Sequence, residues 1–114
     1  MLFFFPYAVR VSILTLPEKQ SIELHKSAVF TCLVNGYPVP RVEWKKDKKS
    51  IISTTDGGIN ISQTKLNSTT IRSVVKIKAV TRTDSGTYSC ESSNALDFLK
   101  GTSELLVLGM KMLC

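Results

Sequence analysis

The run Asp84-Ser85-Gly86-Thr87-Tyr88-Ser89-Cys90, taken with Cys32 and Trp44 upstream, constrains this chain more than any other feature. Successive side chains of a half-buried β-strand point to opposite faces, which puts Gly86, Tyr88 and Cys90 on one side. Ala28, Phe30, Cys32 and Val34 alternate in the same way on an earlier strand, and Val42 and Trp44 on a third. A cysteine on each of two strands, with a tryptophan between them in sequence, fits two sheets held face to face by one disulfide. The indole would pack against that bridge, and a tyrosine two residues before the second cysteine fits a hydrogen-bonded corner.

The remaining segments read as short strands. Val11 to Leu16 is a first strand, broken at Pro17, which has no N–H to give a ladder, and pairing resumes on another sheet around Ile22 to Leu24. His25-Lys26 turns into a strand over 27–34, and 35–40 is a proline-restricted loop. A strand over 41–46 leads to a basic turn around Asp47. Ile51-Ile52 begins either a short strand or an irregular crossing, and Asp56-Gly57-Gly58 is the next turn. Ile59 and Ile61 fit one strand, and Ile71, Ser73, Val75 and Ile77 fit one face of the next, with Lys76 and Lys78 toward water. Thr81 to Ser85 forms a corner, strands follow over 86–93 and 102–108, and residues 94–101 connect them with a projecting Leu-Asp-Phe-Leu tip. At 114 residues there is room for one all-β domain, which buries about two-thirds of its unfolded surface.

On Cys32, Trp44, the Asp84-to-Cys90 run and Gly36-Tyr37-Pro38-Val39-Pro40, the chain resembles the immunoglobulin superfamily, and within it the I-set of neural adhesion molecules, receptors and muscle proteins. The resemblance covers residues 10–109 as a single I-set domain. It implies a Greek-key β-sandwich of two antiparallel sheets with one inter-sheet disulfide, Cys32–Cys90, around a signature of Trp44, Tyr88, Asp84 and Gly86. Family members often carry glycine at the place of His25. A bridge closing so long a loop contributes about 4 kcal/mol by the chain-entropy account, and it persists in an oxidising compartment. Cys114, the last residue, lies outside the pattern, in a tail over 110–114 that reads as the end of a fragment or an alternative end. Residues 1–9 form an apolar extension. Pro6 interrupts it and no small-residue cleavage site follows, so it reads as a truncated or spliced start rather than a secretory signal.

Chemistry for catalysis is lacking in this pattern. A hydrolytic triad needs a base beside its nucleophile, and the only histidine, His25, falls in a turn. No Cys-x-x-Cys metal spacing occurs and no phosphate-cradling loop opens a helix, so neither metal nor cofactor is expected. No apolar run is long enough to span a bilayer. The formal charge of +6 favours anionic neighbours, and Arg41, Lys45, Lys46, Lys48 and Lys49 concentrate it on one strand and its turn. That group is either a solvated edge that resists aggregation or a surface for heparan sulfate or an acidic protein. Nucleic acid is not expected, because no base-stacking aromatics interleave with these charges. Leu96, Phe98 and Leu99 either fold back onto the sandwich or form part of a binding surface.

Two sequons, Asn60-Ile61-Ser62 and Asn67-Ser68-Thr69, favour an extracellular setting. Alternation points Asn60 outward and places Asn67 in a turn. The sequence therefore reads as a non-enzymatic extracellular protein-binding module of a cell-adhesion molecule or cell-surface receptor, with a homophilic or heterophilic protein partner. Two alternatives stand beside it. One is a structural repeat of an intracellular muscle protein of the titin or twitchin kind, and the other is a glycosaminoglycan-binding domain of a receptor kinase.

Overall fold

The computed structural model describes residues 8–15 and 19–109. Expectations for residues 1–7, for Leu16 and Pro17, and for the tail with Cys114 lie outside the described residues. Among the described residues nine strands follow in order: β1 Val9–Thr15, β2 Lys19–Glu23, β3 Ala28–Tyr37, β4 Arg41–Lys46, β5 Lys49–Ser50, β6 Ile59–Lys65, β7 Thr70–Ile77, β8 Gly86–Ser93 and β9 Phe98–Leu108, with a 3-10 turn at Arg82–Asp84 before β8. They form a sheet ordered β1-β3-β7-β6 and a sheet ordered β2-β9-β8-β4-β5. Pairing is antiparallel throughout except for β2, which runs parallel to β9 with Lys19 opposite Glu104 and Glu23 opposite Leu108. The chain thus crosses from one sheet to the other between β1 and β2.

The inward faces meet as alternation requires. Phe30, Cys32 and Val34 of β3, Val75 of β7, and Cys90 of β8 are fully buried, and Trp44 and Tyr88 nearly so. Cys32 and Cys90 are disulfide-bonded across the two sheets, with Cα atoms 6.5 Å apart. Ser73 lies opposite Cys32 on one sheet and Trp44 opposite Cys90 on the other. The Trp44 indole N–H spans the gap and donates to Ser73 Oγ at 2.8 Å, so the one polar atom of the largest core side chain is satisfied. Phe30 stacks on Tyr88 with ring centroids 4.5 Å apart.

Tyr88 closes the corner ahead of its strand by donating its hydroxyl to the Asp84 carbonyl at 2.6 Å. The Asp84 carboxylate accepts from the Thr81 N–H at 2.7 Å, which fixes the 3-10 turn that the Tyr88 ring covers. Gly86 begins the strand at φ +155°, where an added Cβ would meet Asp47 Oδ2 at 2.6 Å. Only glycine admits that approach, and it lets Asp47 accept from the Thr87 N–H at 3.0 Å. Asp47 and Lys48 take left-handed φ of 47° and 73°, the pair of values a two-residue hairpin requires. His25 also sits at a left-handed φ, 71°, which accounts for glycine at that place in family members.

Burial, and then the nearby charges of Asp84 and Asp47, push the Tyr88 hydroxyl well above its ordinary pKa. The phenol stays neutral in the folded state at pH values where it ionises in the unfolded chain. Its contribution to stability is therefore complete below about pH 10 and is lost as pH rises from there through the higher folded-state value. Melting temperature should fall more steeply above pH 10 for the parent than for Tyr88→Phe. The variant itself should lose about 1 kcal/mol at neutral pH with the corner bond. Parallel falls for the two proteins across that range would remove Tyr88 as the titrating group.

Several strand ends differ from the sequence expectation, among them β1, which starts at Val9, and β2, which starts at Lys19. β3 continues to Tyr37 instead of stopping at Val34, because Gly36 lets the chain lie against β1: a Cβ there would stand 3.0 Å from Pro40 and 3.4 Å from the Val11 backbone. Lys49-Ser50, not Ile51-Ile52, make the short strand beside β4; Ile51 turns back onto the core while Ile52 is exposed. Finally, β9 begins at Phe98, not Thr102. The projecting loop over 94–101 is replaced by a tight hairpin in which the Asn94 N–H donates to the Asp97 carbonyl at 3.0 Å.

Candidate functional site

The outer face of β4, β8 and β9 is set by what those strands bury. Val42 and Trp44 face the core, so Arg41, Glu43 and Lys45 face outward, and on β8 Ser89, Glu91 and Ser93 do likewise. On β9 Ser103, Leu105 and Val107 point inward, leaving Phe98, Lys100 and Thr102 outside. The register aligns these residues into three rows across the sheet: Arg41–Ser93–Phe98, Glu43–Glu91–Lys100, and Lys45–Ser89–Thr102.

Like charges meet at Glu43 and Glu91, and neighbours offset both. Lys45 Nζ stands 3.2 Å from Glu91 Oε1, and Ser50 Oγ donates to Glu43 Oε1 at 2.8 Å. Phe98 is 56% exposed at the end of the first row. It borders a depression of about 130 Å³ whose walls include Arg41, Glu43, Glu91 and Ser93. A second depression, of about 300 Å³, lies at the other end between the Asp47-Lys48 turn, Lys100 and Thr102. An exposed ring thus stands beside a charged band in which Lys45 pairs with Glu91.

The two residue groups singled out in the sequence are rearranged. Lys45 is half-buried in its ion pair, and Lys46 points toward the core side, its Nζ donating to the Thr83 carbonyl of the 3-10 turn. Only Arg41, Lys48 and Lys49 of the basic group are exposed, so the set is not one basic face. Leu96, Phe98 and Leu99 do not fold back onto the sandwich; all three are exposed. They do not form one tip either. Leu96 lies on the hairpin, Phe98 on the outer face, and Leu99 on the opposite side of β9. Asn60 and Asn67 are exposed on β6 and in the turn that follows it.

Asn94, which the sequence reading left unmarked, holds the Phe98 end in place. Its Oδ1 accepts from the Leu96 and Asp97 N–H groups at 2.9 and 3.1 Å. Its Nδ2 donates to the Val9 carbonyl at 3.0 Å and to the Pro38 carbonyl at 3.2 Å. One side chain therefore closes the hairpin and ties it to β1 and to the loop before β4. An asparagine immediately after a strand, four residues before an aromatic one, was the available turn signal. Among the described residues no group of three His, Cys, Asp or Glu side chains could hold a metal ion.

Comparison with known proteins agrees with this architecture. Residues 12–94 match the family model for the immunoglobulin domain. Zwei Ig domain protein zig-1 of Caenorhabditis elegans is 33% identical over 92 residues, covering 81% of this chain and 31% of that protein. Neural cell adhesion molecule 1 of Gallus gallus is 31% identical over 83 residues, covering 69% of this chain and 7% of that protein. The chain thus spans less than a third of either relative. The solved structure of titin domains z1z2 in complex with telethonin superposes with a TM-score of 0.78 at 28% identity, covering 94% of this chain and 51% of that one. The protein belongs to the immunoglobulin domain family.

Proposed function

We propose that this domain is an extracellular, non-enzymatic protein-binding module of a cell-adhesion molecule or cell-surface receptor, and that its partner contacts the outer face of β4, β8 and β9. The observation that carries the reading is Phe98, an exposed aromatic ring beside a charged band in which Lys45 pairs with Glu91. Interfaces concentrate their affinity in such rings, with polar residues at the rim. The similarity to neural cell adhesion molecule 1 supports the setting, as does a disulfide that needs an oxidising compartment. The alternative, a structural repeat of an intracellular titin-like muscle protein, is favoured by the likeness to the titin z1z2 structure. Heparan sulfate binding has less support, since Glu91 holds Lys45 and the Thr83 carbonyl holds Lys46.

A tetramerised, secreted form of the domain should bind cultured animal cells saturably. Phe98→Ser should weaken that binding about 30-fold, as expected for an interfacial hot spot worth about 2 kcal/mol, without lowering the melting temperature. Lys76→Ser on the opposite sheet should leave binding unchanged. Binding that heparinase abolishes, and that falls steeply with salt, would replace the protein partner with a sulfated glycan. Saturable binding indifferent to Phe98→Ser would remove this face from the proposal.

A further inference from the structure

We propose that Asn60 and Asn67 each carry an N-linked glycan, and that the two sugars shield the β6 side of the β1-β3-β7-β6 sheet while leaving the Phe98 face bare. The proposal rests on the extracellular reading, since sequons are modified only in the secretory pathway. Both acceptors lie along one edge. Asn60 is the second residue of β6 and Asn67 the second residue after it, so about 20 Å of extended strand separates them. The other asparagines, Asn35 and Asn94, lie in no sequon, and Asn94 is committed to its hairpin.

Accessibility at the acceptor atoms agrees with this assignment. Asn60 is exposed between half-buried Ile59 and Ile61, opposite exposed Lys76 on β7, and its side chain makes no hydrogen bond among the described residues. Asn67 Oδ1 accepts from the Thr69 N–H at 2.9 Å and from its hydroxyl at 3.0 Å. Its Nδ2, the atom that takes the sugar, has no partner among the described residues. The shielded strand is also the outermost of its sheet; Thr54 Oγ1 and Ser53 Oγ accept from the Ile59 and Ile61 N–H groups at 3.0 and 2.9 Å and cover its Asn60 end, which leaves the stretch toward Asn67 as the part of the edge where another chain could pair. Exposed Ser62, Gln63, Thr64 and Lys65 blunt that edge, and a bulky hydrated glycan at each end would complete its protection.

The test uses the full chain, secreted from cultured animal cells behind a borrowed signal. Intact mass before and after peptide-N-glycosidase should show two glycans, with one lost in Asn60→Gln and one in Asn67→Gln. Ser62→Ala and Thr69→Ala should give the same losses while keeping each asparagine, which separates occupancy from folding. Acylation of surface lysines should then modify Lys76 more after deglycosylation and Lys100 equally before and after. Folded, secreted protein whose mass the glycosidase leaves unchanged overturns both sites, and an unmodified Asn60 or Asn67 peptide overturns that one. Equal labelling of Lys76 with and without sugar overturns the shielding. Because the borrowed signal forces secretion, none of these failures bears on the native compartment. Free Cys32 and Cys90 thiols in protein from its natural source would overturn the extracellular reading instead.

Discussion

Replacing Cys32 and Cys90 together by alanine should lower the free energy of unfolding by about 4 kcal/mol, measured as a shift of the urea midpoint at neutral pH. The two cysteines are 58 positions apart, and a cross-link over that span removes much of the freedom of the unfolded chain. Domains of this size are stable by only about 5–15 kcal/mol, so the variant is expected to be marginal at 37 °C. Both sulfurs are fully buried, and removing them also leaves a small void that Phe30 and Trp44 cannot fill without moving. A loss under about 1 kcal/mol would mean that packing alone holds the sheets together, contrary to the chain-entropy account. The measurement bears on function as well. A domain that stays folded without its bridge could serve in a reducing compartment as a structural repeat, whereas one that unfolds is confined to an oxidising one.

The sandwich was legible because its signal is local and periodic. Inward residues recur every second position in β3, β7 and β8, and the cysteines and Trp44 fall within that rhythm. The candidate face was legible only in part. Phe98-Leu99-Lys100-Gly101 reads as loop because two large apolar residues followed by Lys-Gly break the alternation. What makes it strand is Asn94, whose donors reach Val9 and Pro38, 85 and 56 positions away. No window of sequence contains such contacts. The arrangement of the basic group was legible only in part, for a related reason. Composition counts Lys45 and Lys46 as equal, but adjacent strand residues face opposite ways, so one meets Glu91 and the other Thr83. The change of sheet was legible at Pro17, but the parallel direction of β2 beside β9 was not, because it joins Lys19 to Glu104 and no short window contains both.

Trp44→Ala should cost about 3–5 kcal/mol, the range for deleting a large buried aromatic side chain, and the more informative experiment divides that cost. Trp44 is the only tryptophan and fills the space between the disulfide and Ser73, its N–H donating to Ser73 Oγ at 2.8 Å. Ser73→Ala alone leaves that donor buried without an acceptor, a penalty of about 1–3 kcal/mol. In a Trp44→Phe background there is no N–H to orphan, so the same Ser73→Ala change should cost about 1 kcal/mol less. Urea unfolding followed by circular dichroism, which does not depend on the indole, measures all four corners of the cycle. Additive losses would show that Ser73 serves Trp44 only as filler. Coupling of the expected size would identify the bond as what fixes the ring's orientation on β4. That orientation matters beyond the core, because Glu43 and Lys45 flank Trp44 on the same strand and take their outward directions from its inward one. A loosened indole should therefore weaken partner binding at the outer face even where the domain remains folded, whereas Phe98→Ser should weaken binding and leave stability untouched.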